Sequence, residues 1–108
     1  MPTPTLQLFE LHVLVAMLHD GGETYSVPLV LALEQRTGRP VAQAAVFIAL
    51  RRLERKGLLT SRLHEPDDGR ARRYFKLTRQ GLAAIDATRA EHLRLWQGAR
   101  QPLRTRKV

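Results

Sequence analysis

Apolar positions recur every three or four residues over most of this chain, and every second residue over one short central stretch. From the N-terminus, Leu6, Phe9, Val13 and Met17 form one stripe and Leu8, Leu11, Val15 and Leu18 another. This predicts a first helix, capped by Thr3 or Thr5 and running to about His19. A helix apolar on nearly all sides is buried on more than one of them, and in so small a chain the second side is expected to meet a partner copy. Asp20-Gly21-Gly22 ends it. Ser26 is placed as the N-cap of a second helix, with Pro28 in its first turn, running through Gln35 and closed by Gly38. Arg39-Pro40 is a break, because the residue before proline is pushed out of the helical region.

A third helix is predicted over about Ala42 to Lys56. Val46, Leu50 and Leu53 point to the core, while Gln43, Phe47, Arg51 and Arg55 lie on another side with Ala44 and Ile48 beside them. Gly57 supplies the stop, with Leu58 placed for the accompanying hydrophobic contact. Period-two alternation follows. Leu59, Ser61, Leu63 and Arg73, Phe75, Leu77 share one face of a hairpin; Arg62, His64, Arg72, Tyr74 and Lys76 take the other. Pro66-Asp67-Asp68-Gly69 supplies the turn. Thr78 then caps a last helix, about Arg79 to Gln97, with Leu82, Ile85, Arg89, Leu93 and Trp96 in one long stripe.

Helix, helix, helix, hairpin and helix in this order is a mainly α fold with a small β-hairpin (α+β). It reads as a winged helix-turn-helix with a C-terminal dimerisation helix. The expected parts are residues 1–78 for the winged domain, 79–98 for the dimerisation helix and 99–108 for a basic, disordered tail.

Charge sharpens this picture. The 108 residues carry a net +8, but unevenly: no Lys or Arg precedes Arg36, and all 18 basic residues fall from there on. A small domain with its cations on one part attracts polyanions by steering and counterion release. The second face of the third helix mixes small, apolar, amide and guanidinium groups, as a DNA major groove requires. Arg70, Arg72 and Arg73 near the hairpin tip add to the same surface.

Other chemistries find little support. With no cysteine there is no disulfide framework, thiolate metal site or thiol nucleophile. The four His residues form no ligand-spaced cluster, so no metal or other cofactor is expected. Ser26 and Ser61 lie in no nucleophile motif, and no phosphate-binding glycine loop occurs. Met1 to Thr5 carry no basic residue, and the apolar run Leu11 to Leu18 is too short for a bilayer. The expectation is a cytoplasmic protein with no membrane partner and no enzymatic activity.

Several segments together resemble the PadR family of bacterial transcriptional regulators. They are Tyr25-Ser26-Val27-Pro28, Ala45-Val46-Phe47 with Leu50, Arg52-Leu53-Glu54-Arg55-Lys56-Gly57-Leu58, and Arg72-Arg73-Tyr74-Phe75-Lys76-Leu77-Thr78 with Gly81. The likeness spans roughly Leu6 to Trp96, and the single helix after the wing resembles the short-tailed subgroup. It implies a homodimeric regulator, most often a repressor, bound to a near-palindromic operator in double-stranded DNA. Gln43, Phe47 and Arg51 then fall on the recognition helix, Arg70, Arg72 and Arg73 on the wing, and Tyr25 and Ser26 at a helix start facing phosphates. The first and last helices form the dimer, and Phe9, His12, Val13, Leu93 and Trp96 mark its interface or a pocket for a small hydrophobic or aromatic effector. Three positions depart from the family: Phe47 where Tyr is usual, Ala42 where a small polar cap is common, and Ser26 where Gly is common. Two competing readings are a winged-helix module docking an acidic protein without any DNA function, and a double-stranded RNA binder. The deep, narrow major groove of RNA disfavours the second.

Overall fold

A computed structural model describes residues 6–66 and 69–100. The elements run α1 (Leu8–His19), β1 (Glu23–Thr24), α2 (Ser26–Thr37), α3 (Gln43–Arg55), β2 (Leu59–His64), β3 (Arg72–Leu77) and α4 (Arg79–Trp96). The N-cap of α1 is Gln7, not Thr3 or Thr5, because the helix starts only at Leu8; Asp67-Asp68 of the turn and residues 101–108 of the tail lie outside the described residues.

The three N-terminal helices pack on one another around Val13, Leu14, Met17, Leu29, Val46, Leu50 and Leu53. The sheet closes the core with Leu59 and Phe75, and α4 adds Ala84 and Ile85. Its order is β1-β3-β2, antiparallel throughout. In the hairpin Leu59 pairs with Leu77 and His64 with Arg72.

The hairpin is one strand short of the sheet. β1 pairs Glu23 with Lys76 and Thr24 with Phe75. Two residues carry no readable alternation, so only tertiary contact reveals this strand. The second helix also differs from expectation: Ser26 is its first residue, Tyr25 is the N-cap without a side-chain cap bond, and the helix continues to Thr37. Gly38 closes it in the left-handed conformation, at φ 70°. At the end of α3, Gly57 is left-handed too, its amide donating to the Glu54 carbonyl and that of Leu58 to the Leu53 carbonyl. Leu58 is buried, so this stop is also a core contact. Ala42 caps α3 without any side-chain bond, as its methyl group dictates.

On α1, Glu10 is buried although its sequence neighbours suggested only an apolar stripe. Its carboxylate accepts from the Gln7 amide at 3.0 Å and from Lys56 Nζ at 2.9 and 3.0 Å. The Lys56 ammonium stands at the C-cap of α3, where a cation also meets the negative end of the helix dipole. One ion pair, buried at Glu10 and open to solvent at Lys56, thus ties α1 to the end of α3.

The stripe read along α4 divides. Its core face is Gly81, Ala84, Ile85 and Thr88, whereas Leu82, Leu93 and Trp96 are exposed and the helix ends at Trp96. At its start Thr78 Oγ1 accepts from the Gly81 amide at 3.0 Å and donates to the Gly57 carbonyl at 2.8 Å. This hydroxyl joins the cap of α4 to the stop of α3. Thr78→Ala is therefore expected to lower unfolding free energy by about 1–2 kcal/mol in urea titration, and Thr78→Ser by much less. Equal losses for both substitutions would deny the hydroxyl its role.

Candidate nucleic-acid interface

The starts of α2 and α3 and the base of the wing converge on one open groove of about 530 Å³. Tyr25, Ser26 and Val27 come from α2 and its cap, Gln43 and Phe47 from α3, and Arg70 to Arg73 from the approach to β3 and its first residues. Seven of the eight residues singled out for DNA contact thus share one concavity. Arg51, the eighth, lies outside its lining.

Gln43 Nε2 donates to Ser26 Oγ at 3.3 Å, which joins the two helix starts. Phe47 is 40% exposed yet stands edge-on to the buried Phe75, with ring centroids 6.0 Å apart. Its ring is thereby held in one place while one side stays open. Ile48 is 56% exposed. With Ala44 it forms the outward line of α3, one step from the positions the sequence favoured.

The wing cations separate onto two faces, as strand alternation requires. The Arg72 guanidinium lies over the Tyr25 ring at 5.1 Å, and Tyr25 meets Tyr74 at 5.1 Å between centroids. Arg62 lies over the Tyr74 ring at 5.2 Å and pairs with Glu23 at 3.3 Å. This ladder of rings and guanidinium groups fastens the wing to β1 and the cap of α2. Arg73 turns the other way. Its Nη1 donates to Ser61 Oγ at 3.0 Å, Ser61 donates to Glu54, and Glu54 pairs with Arg51 at 3.3 Å. Arg73 and Arg51, read as separate contacts, belong to one chain of polar bonds between wing and recognition helix.

Tyr74, Arg62, Ser61 and Glu54 are the participants that sequence reading did not single out. Glu54 carried a signal, three residues beyond Arg51 on a helix. Tyr74 carried another, on the same strand face as Arg72. Ser61 carried none.

The residues read as interface or effector pocket do not gather within one chain. Phe9 and His12 line a cleft of about 340 Å³ with Leu33, Thr37, Arg39 and Val41. Val13 is completely buried in the core, where it offers no surface to a partner. Leu93 and Trp96 stand exposed near the end of α4, away from that cleft. Among the described residues, no helix is long and apolar enough to cross a membrane.

Comparison with known proteins agrees with this geometry. Residues 13–87 match the sequence pattern of the transcriptional regulator PadR-like family. No curated protein sequence matches the chain. Among solved structures, a PadR family transcriptional regulator from Eggerthella lenta DSM 2243 superposes with a TM-score of 0.72 at 26% identity, over 92% of this chain and 90% of that one. F93 from STIV, a winged-helix DNA-binding protein, superposes with a TM-score of 0.69 at 13% identity, over 90% of this chain and all of its own. BpsR of Bordetella bronchiseptica, whose DNA binding is regulated by 6-hydroxynicotinic acid, gives 0.66 at 24% identity, over 95% of this chain and 74% of that one.

Proposed function

The chain belongs to the PadR-like family of transcriptional regulators, and on that premise we propose that it is a cytoplasmic, homodimeric repressor that binds a near-palindromic operator in double-stranded DNA. The observation that carries this is the groove in which the starts of α2 and α3 meet the wing arginines. Recognition helices read base edges with their N-terminal residues, while flanking cations hold phosphates. Here Ala44, Phe47, Ile48 and Arg51 face outward on α3, and Phe47 shares the groove with Arg70 and Arg72. Exposed Leu93, Leu95 and Trp96 on α4, with Leu8 on α1, supply apolar surface for a second copy. A dimer would place two recognition helices about one DNA turn apart, roughly 34 Å. Release from the operator is assigned to a small hydrophobic or aromatic molecule in the cleft along Phe9 and His12.

Fluorescence anisotropy with a duplex from the gene's own upstream region and a scrambled duplex, at two salt concentrations, tests the DNA reading. Saturable binding to the first that survives higher salt is the expected result. Arg51→Ala should lower both affinity and preference for the operator. Arg70→Ala, removing an exposed wing cation, should weaken both duplexes alike and reduce the slope of log affinity against log salt by about 0.9. Partner binding with no DNA affinity at modest salt would select the alternative, a winged-helix protein-interaction module.

A further inference from the structure

The outward surface of α3 is chemically narrower than its sequence suggests. Gln43 and Arg51, the polar side chains best placed to read base edges, are both engaged within the protein. Gln43 donates to Ser26 at 3.3 Å. Arg51 pairs with Glu54, which Ser61 and Arg73 hold from the wing. Between these two engaged groups the helix presents Ala44, Phe47 and Ile48. Ile48 is 56% and Phe47 40% exposed, and Phe75 holds the Phe47 ring in place.

Cations flank this apolar patch: Arg51 and Arg55 follow it along α3, and at Phe47 it opens onto the groove that Arg70 and Arg72 line from the wing. A partner that is anionic at the edges and apolar at the centre complements it. A DNA major groove has this character, with phosphates on both rims and the thymine C5-methyl as the apolar group on its floor. A cation-flanked patch on a protein-docking face would need an acidic partner with an apolar centre. The converging groove and the helix geometry favour the duplex.

Resting on the DNA-binding reading, we propose that Ile48, with Phe47 and Ala44 beside it, reads thymine methyl groups in the operator half-site. Thymine is then distinguished chiefly by the methyl, not by a hydrogen bond to O4. Ile48 becomes a specificity-determining residue alongside Arg51, while Gln43 shapes the surface around it.

The test uses deoxyuridine, which pairs as thymine does but lacks the methyl group. An operator is first selected from random duplexes with the full-length protein. Failure to enrich any sequence would sink the DNA-binding reading itself. With an operator in hand, each thymine is replaced singly by deoxyuridine. One or two positions per half-site should lose about fourfold in affinity, the worth of one buried methyl. At least one of them should become insensitive in Ile48→Ala, whose exposed side chain leaves the fold intact. Sequence-specific binding with no thymine sensitive beyond about twofold would overturn the proposal and leave the regulator standing. So would an Ile48→Ala protein in which every sensitive position remains so.

Discussion

Lys56→Met is expected to cost about 3 kcal/mol of folding stability at neutral pH. Glu10 is only 1% exposed, and its carboxylate is held by both contacts from Lys56 and by the Gln7 amide. Removing the cation strands a carboxylate in the core, which is far costlier than removing the pair together. The Lys56 side chain retains 31% of its exposure, which puts the loss at the lower end for a buried pair. The double change Glu10→Gln with Lys56→Met should recover much of it, since no buried charge is left.

The pH dependence follows from the same carboxylate. Burial pushes its pKa up, but the hydrogen bonds from Lys56 and Gln7 and the charges of Lys56 and Arg52 prevail, so it lies below the ordinary 4.5. A depressed pKa contributes stability that is present above the unfolded value and lost as pH falls through the folded one. The wild-type chain should therefore lose this contribution as pH drops beneath about 4.5. In Lys56→Met only burial and the weaker contacts remain, the pKa rises, and protonation relieves the stranded charge. The gap between the two proteins should narrow on acidification. Urea titrations at pH 7 and pH 4 measure it, and a gap that stays constant would show that Lys56 acts by packing alone.

Gly81→Ala is the second large effect, with an expected loss of roughly 3 kcal/mol or more. Helix propensity alone predicts the opposite sign, a gain of about 1 kcal/mol for replacing Gly within a helix. Packing decides. A Cβ at position 81 would lie against the Leu58 carbonyl oxygen, far inside contact distance, and 3.1 Å from Leu77 Cδ2. The first neighbour is backbone, anchored by the Thr78 amide bonding to that same carbonyl. It cannot rotate aside as a side chain would. The start of α4 must move off the α3–β2 junction, disturbing the Thr78 cap. A thermal midpoint at or above wild type for Gly81→Ala would refute this account.

Both substitutions act through contacts that no local spacing announces, and other features of the fold contrast with them. The Thr78 cap, the Gly57 stop, the amphipathic faces of α3 and the hairpin alternation depend on residues within a few positions of one another. Short-range geometry dictates them, and the sequence displays them as spacing. The partition of charge, with no Lys or Arg before Arg36, was legible in the same way.

The tertiary structure alone decided the rest. Periodicity tells that a face is apolar but not what covers it, so the α4 stripe divided and Val13 moved from interface to core. Glu10 and Lys56 are 46 positions apart. Arg51 and Arg73 are joined through Ser61 and Glu54, and Tyr25 meets Arg72 only because β1 brings the cap of α2 against the wing. Each of these pairings requires the backbone to return to within a few ångströms of itself, which local spacing does not encode. The sequence by itself determined the four helices, the hairpin and the cationic surface; packing determined the third strand and which side chains remain free.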